Sequence, residues 1–215
     1  SRTEGLYGRF VGPEPEDKFY DTELTNVNLL KAGAIIKDTL VPTEQGDTAS
    51  KVNGRMCTIV SVNVKAEVHM VHSQNAAPAN FKESCRVALV YDTQCNGTAP
   101  AVADIYTTLP VATTPTIHSQ INLAKSKRFK ILKEWVYDFT PTDNIVDGSH
   151  GLFSNVGAIK QIVYWRKLSI PITYDMSASA GINRVESNNL LLVGFCKTNN
   201  KVQFSGTIRV RYADQ

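Results

Sequence analysis

The sequence predicts an all-β protein, an eight-stranded antiparallel jelly-roll sandwich with long loops and one or two short helices. Three observations carry that prediction. Apolar residues recur with period two along several long runs, helical periodicity is scarce, and turn-forming pairs separate the runs. A sheet with one apolar face must bury it against a second sheet, which gives two layers. Long decorated loops and 215 residues suit a jelly roll better than an immunoglobulin-type sandwich.

In chain order, the first strand is expected over Phe19–Leu30. Arg55–Met70 is the clearest run: Val60, Val62, Val64, Ala66, Val68 and Met70 project from one face, and Ser61, Asn63, Lys65, Glu67 and His69 from the other. One face therefore meets a core and the other meets water. Cys85–Tyr91 is a dense apolar run, as in a strand covered on both sides. Thr98–Tyr106 offers a hydroxyl N-cap, Pro100 in the first turn and about two turns of good formers, so one short helix is predicted there. Thr107–Ser119, rich in Thr and Pro, reads as an irregular loop.

Phe129–Phe139 alternates again, with Phe129, Ile131, Trp135, Tyr137 and Phe139 expected on one side. Lys160–Tyr174 is a further strand, and Pro171 marks it as an edge or as broken there, because proline donates nothing to a ladder. Asn189–Lys197 is a second dense run. Val202–Tyr212 turns Val202, Phe204, Ile208, Val210 and Tyr212 inward and Gln203, Ser205, Thr207, Arg209 and Arg211 outward. The turns fall at Gln45-Gly46-Asp47, Asn53-Gly54, Asn96-Gly97, Asp147-Gly148 and Asn199-Asn200. The last pair fits a tight hairpin joining the final two strands.

No repeat or linker divides the chain, so residues 18–215 are expected to form one domain after an N-terminal arm, 1–17. Apolar residues make up 42% and charged residues 20%, enough to build a core. The longest apolar stretch, Leu190–Cys196, is far short of the roughly 20 residues of a membrane helix. The opening residues contain no secretory apolar region. The four cysteines (57, 85, 95 and 196) show no C-x-x-C spacing and read as buried thiols, with a disulfide or metal site as the alternative; they place no strong bound on compartment.

Catalysis finds no support, and no enzyme is expected. His69 and His72 stand at i and i+3, on opposite faces of a strand. His118 and His150 have no ligand-type neighbours at metal spacing, and Ser149-His150 has no partner acid. The G-x-S-x-G, P-loop and G-x-G-x-x-G signatures are absent. Asp138, Asp143 and Asp147 surround one turn. Such loops can hold calcium between subunits, but a solvated acidic loop is the simpler reading, and no cofactor is assigned. Asn96-Gly97-Thr98 fits a glycosylation acceptor formally and reads as a turn.

The basic residues say more. Net charge is only +3, yet Lys125, Lys127, Arg128, Lys130 and Lys133 fall within nine residues. Arg209 and Arg211 share one face of the last strand, and Arg166-Lys167 adds a third basic site. If these strands abut on one outer face, they form a patch suited to phosphates, and otherwise they are a solvated surface. Arg2, Tyr7, Arg9 and Phe10 interleave cations with rings, which permits backbone pairing and base stacking. The nucleic-acid candidates are thus Arg2, Arg9, Lys127, Arg128, Lys130, Arg209 and Arg211. Replacing Arg128 and Lys130 together by Glu is expected to reduce packaged DNA while leaving shells assembled.

Taken in order, the motifs form a series: Glu16–Thr22 (EDKFYDT), Val52–Ile59 (VNGRMCTI), Arg86–Gly97 (RVALVYDTQCNG), Asp104–Tyr106, Asn122 with Lys127–Lys133 (KRFKILK), Ile170–Tyr174 (IPITY), Asn188-Asn189 and Ile208–Asp214 (IRVRYAD). The series resembles the capsid proteins of circovirus-like, Rep-encoding circular single-stranded DNA viruses. The KRFKILK segment is also similar to the coat protein of satellite tobacco necrosis virus. The resemblance implies a jelly roll of which sixty copies close a T=1 icosahedral shell around a circular single-stranded DNA genome. It implies residence in the virion, assembly in the host nucleus, and outward loops that carry receptor determinants. The segments Cys95–Leu109 and Thr113–Ser119 are expected to meet neighbouring copies. One departure stands out: such proteins begin with a strongly basic arm, and here only Arg2 and Arg9 precede Glu14, Glu16 and Asp17. Sixty chains at +3 supply a small fraction of the roughly two thousand charges on a genome of about two thousand nucleotides, so a basic arm is expected upstream of Ser1. The alternative is a non-viral oligomeric binding module, cytokine-like or lectin-like, on the same scaffold.

Overall fold

Among the described residues the chain forms nine strands, one α-helical turn and two 3-10 turns. The computed structural model describes residues 17–71, 82–108, 112–139, 159–178 and 180–214. The strands are β1 (Asp17–Asn28), β2 (Ala34–Lys37), β3 (Met56–Met70), β4 (Glu83–Asp92), β5 (Phe129–Phe139), β6 (Ile159–Tyr174), β7 (Val185–Ser187), β8 (Asn189–Cys196) and β9 (Val202–Asp214). Helix α1 is Val102–Ile105. One sheet has the order β1-β9-β3-β6-β7 and the other β2-β8-β4-β5. All strand pairs are antiparallel. Apart from β4 to β5 and β6 to β7, each successive strand up to β8 changes sheet, as does β8 to β9. Setting aside the three-residue β7, this is the eight-stranded jelly roll that the sequence predicts.

The core between the sheets takes the inward residues of β3 and β9: Val62, Val64 and Val68 with Phe204, Ile208, Val210 and Tyr212, all fully buried. Gly206 is where a side chain is impossible. It lies opposite Ala66, and an added Cβ would come within 2.4 Å of the Ala66 Cα and Cβ. β4 and β8 are buried on both faces, as their dense runs predict. A second apolar cluster covers the outer side of their sheet: Ala88, Val90, Leu191, Val193 and Phe195 meet Ile105, Tyr106 and Ile117 from the long β4–β5 connection.

Several expectations need correction. Phe129 and Ile131 do not share a face with Trp135, Tyr137 and Phe139. The β4–β5 register shifts between Leu89, which faces Lys133, and Val90, which faces Ile131. The extra residue, Leu132, flips the alternation, as a bulge must. Phe129 therefore joins the outer cluster, and Trp135 and Phe139 the inner core.

Asn199-Asn200 is not a hairpin turn. β8 and β9 belong to different sheets, and the pair carries the chain across, with Asn200 at φ +59° donating to the Leu29 carbonyl. The helix is a single turn that starts at Val102, not at Thr98. Its cap is the Asp104 carboxylate, which accepts from the Ala101 N–H at 3.0 Å. β2 and β7 carried no sequence signal. β6 runs unbroken through Pro171 and, beyond its short contact with β7, is an edge strand as expected.

Candidate nucleic-acid interface

The cations singled out in the sequence do not all meet on one surface: Arg209, Arg211 and Lys167 share the outer face of the five-stranded sheet, and the β5 group does not. β5 lies in the four-stranded sheet and β9 in the five-stranded one, so Lys127, Arg128 and Lys130 belong to a different layer from Arg209 and Arg211. The two strands do not abut. Arg2 and Arg9 lie outside the described residues.

Within the β5 group, the structure separates paired cations from open ones. Arg128 closes two hydrogen bonds on Asp92, each of 2.8 Å, and its guanidinium lies 4.7 Å from the Phe129 ring centroid. The Asp92 carboxylate holds the Arg128 pKa above its ordinary value. Lys125 is paired with Asp104, whose carboxyl it pulls below the usual range by hydrogen bonding. Lys127, Lys130 and Lys133 are exposed and have no carboxylate partner among the described residues. Lys130 extends beside Tyr91, 6.0 Å from its centroid.

The outer side of this sheet is not an open surface. Arg86 is buried there, with its guanidinium 4.5 Å from the Tyr106 centroid, and it donates to Glu134 at 2.7 Å. It also donates to the carbonyls of Ile117 and Ser119, at 3.1 and 2.6 Å. One buried cation thus straps the 112–122 loop over the sheet. The apolar residues of the two segments expected to meet neighbouring copies, Ile105, Tyr106 and Ile117, are turned onto their own sheet.

In the five-stranded sheet, β9 lies between β1 and β3. Arg209 donates twice to Asp21 at 2.7 Å and covers the Phe19 ring at 4.6 Å. The bond to Arg209 lowers the Asp21 pKa. Arg211, in register with Phe19 and Ser61, is exposed. On β6, Arg166 donates to the Leu132 carbonyl across the open edge of the sandwich, and Lys167 points outward beside Ser61. Sequence reasoning named Arg166-Lys167 on β6 but passed over Trp165, which stands outward in the same run beside Val163.

All four cysteines are free and buried. Burial pushes the Cys57 and Cys85 thiols up to about 12 and Cys196 to about 11. His69 is half-buried and pairs with Gln203 at 3.2 Å, and His118 is exposed. His72, Ser149 and His150 lie outside the described residues, as do Asp143, Asp147 and Gly148. The Asp138 carboxylate accepts from Ser84 at 2.7 Å. Among the described residues, no three His, Cys, Asp or Glu side chains are grouped to hold a metal, and no helix is long and apolar enough to cross a membrane.

No protein-family model matches the chain, and no curated protein does. Among solved structures, one from Desmodium yellow mottle tymovirus aligns over 100% of this chain and 96% of its own, at 11% identity and a TM-score of 0.37. VP1 of Trichodysplasia spinulosa-associated polyomavirus, in complex with sialylated glycooligomers, aligns over 91% of this chain and 75% of its own, at 12% identity and a TM-score of 0.17. The same VP1 with GM1 oligosaccharide aligns equally distantly. The architecture rests on strand order and register, not on these alignments.

Proposed function

We propose that the chain is a viral capsid subunit that assembles into a sixty-copy T=1 shell around a circular single-stranded DNA genome. The observation that carries this reading is the jelly roll itself, since a β1-β9-β3-β6 sheet against a β2-β8-β4-β5 sheet is the fold that the ordered motif series implies. A shell subunit needs several distinct interfaces and no catalytic centre. On this reading the protein resides in the virion, is assembled in the host nucleus, and needs no cofactor. Calcium between subunits at the turn after Phe139 is tested by assembly in chelator.

The experiment is the mass of the purified chain by light scattering and negative-stain microscopy, with absorbance at 260 and 280 nm. Sixty chains of 23.7 kDa give particles of about 1.4 MDa. A stable trimer or monomer at all salt concentrations and pH values, with an upstream basic arm supplied, would instead favour the binding module.

A further inference from the structure

Register fixes how side chains are arranged on the outer face of the five-stranded sheet. One row across β1, β9, β3 and β6 reads Phe19, Arg211, Ser61, Lys167; the next reads Asp21, Arg209, Asn63, Trp165; the third reads Glu23, Thr207, Lys65, Val163. Trp165 is 63% exposed. Lys167 stands two residues along the same strand, about 7 Å away, and Lys65 is its diagonal neighbour on β3, at about 7–8 Å. Neither lysine has a carboxylate partner among the described residues. Of the acids on this face, Asp21 is engaged with Arg209 and Glu67 with Gln161, and Glu23 stands on β1, two strands from Lys65. Phe19, 41% exposed beneath the Arg209 guanidinium, supplies a second ring at the far end of the face.

An exposed indole ringed by unpaired ammonium groups is a poor arrangement for a solvated surface. It is a good one for a polyanion that carries flat rings, because every base can stack and every phosphate can be neutralised. The opposite sheet cannot offer the same platform, because α1 and the strapped loop cover its outer side.

We propose that the outer face of β1-β9-β3-β6 binds single-stranded nucleic acid, with a base stacked on the Trp165 indole and phosphates held by Lys65 and Lys167. This rests on the capsid reading in one respect, since it names the side of the subunit that meets the enclosed strand. It extends the candidate residues of β9 to Trp165, Lys65 and Lys167, and leaves Lys127 and Lys130 outside the site.

The test uses the full chain with an oligothymidylate of about twenty nucleotides as probe. Trp135 is buried and Trp165 is the other of the two tryptophans, so Trp135→Phe isolates the emission of Trp165. That emission should be quenched by the probe and saturate together with its anisotropy. Trp165→Ala should weaken binding about tenfold, while Trp165→Phe retains most of it. Lys65→Ala with Lys167→Ala should reduce the magnitude of the log–log salt slope by about 1.4. Lys127→Ala with Lys130→Ala should change neither. Circular dichroism checks that each variant folds.

Binding that ignores Trp165, Lys65 and Lys167 overturns the proposal, as does unquenched Trp165 emission. So does a concentration-dependent blue shift without probe, which would put a second copy on this face. Particle mass is measured separately. Shells without quenching sink this inference alone, and quenching in a chain that never exceeds a trimer sinks the capsid reading alone.

Discussion

The guanidinium of Arg128 and the carboxylate of Asp92 form a two-pronged pair, with both bonds at 2.8 Å and Asp92 wholly buried. Arg128 holds β5 to the end of β4 and neutralises a charge that water cannot reach. Asp92 also accepts from the Gln94 N–H, so one carboxylate closes both the strand pair and the turn that follows it.

Removing Arg128 leaves Asp92 buried and unpaired. Arg128→Ala should cost about 3 kcal/mol in urea unfolding, the lower end of the range for a broken buried pair, because the arginine is partly exposed. Arg128→Glu should be worse, with two carboxylates in contact. The combined Arg128→Glu, Lys130→Glu variant therefore confounds folding with DNA binding, whereas Lys130→Glu alone should fold normally. Arg128→Ala with Asp92→Asn should recover part of the loss. An Arg128→Ala protein that unfolds with the wild type would refute this role.

The buried thiols make stability fall on the alkaline side. Cys57 and Cys85 are held near 12 by burial, while an unfolded cysteine ionises near 8.5. Between those values the unfolded state binds fewer protons, so unfolding stability declines as pH rises. The slope is about 1.4 kcal/mol per pH unit for each thiol. Denaturation at pH 8, 9 and 10 measures it, and Cys85→Ala should make the decline shallower. Below about pH 8 the thiols should contribute no slope.

Gly206 should tolerate nothing larger. With Ala66 2.4 Å from where its Cβ would lie, Gly206→Val forces β9 away from β3 in the middle of their ladder. A loss of about 1–3 kcal/mol is expected, seen as a lower urea midpoint. Thr207→Val, at its exposed outward neighbour, should change the midpoint little.

Arg86 should govern access to the 112–122 loop. Arg86→Ala removes both bonds to the Ile117 and Ser119 carbonyls and the contact over Tyr106. Limited proteolysis under native conditions should then cut within this loop several-fold faster, while β3 and β9 stay protected. Equal cleavage rates would mean that the apolar contacts of Ile117 suffice to hold the loop.

Much of the fold is legible in the sequence where one side of a strand is wet. β3 and β9 announce themselves because Val64 and Lys65, or Val210 and Arg211, alternate between core and water. β4 and β8 are legible for the opposite reason: burial on both sides leaves runs such as Leu190–Val193 without polar interruption. β2 is not legible, because four residues of half-buried AIIK acquire strand identity only from pairing with Val193 and Gly194, far along the chain. The bulge at Leu132 is equally silent, since it is fixed by the register of β4.

The candidate site shows the same limit. That Arg128, Arg209 and their neighbours are cationic is plain, but whether each is spoken for depends on Asp92 and Asp21, 36 and 188 positions away. Trp165 was overlooked because an outward aromatic in an apolar run looks like any core residue. Its exposure becomes visible only once Asn63 and Lys65 are seen beside it.

The pairing of β1 with β9 joins the two extremes of the described chain: Lys18, buried, is bonded at 3.0 Å to Asp214, 196 positions later. During synthesis β1 leaves the ribosome with no partner strand, and β9, which pairs with it, follows every other strand of the described residues. β9 is also the neighbour of β3, so until it arrives neither long strand has the edge it needs. Completion of this sheet therefore waits on contacts of very high sequence separation, and folding should be slow. The nascent chain passes through a state with unpaired sheet edges, and it has to sequester those edges before it meets other copies of itself.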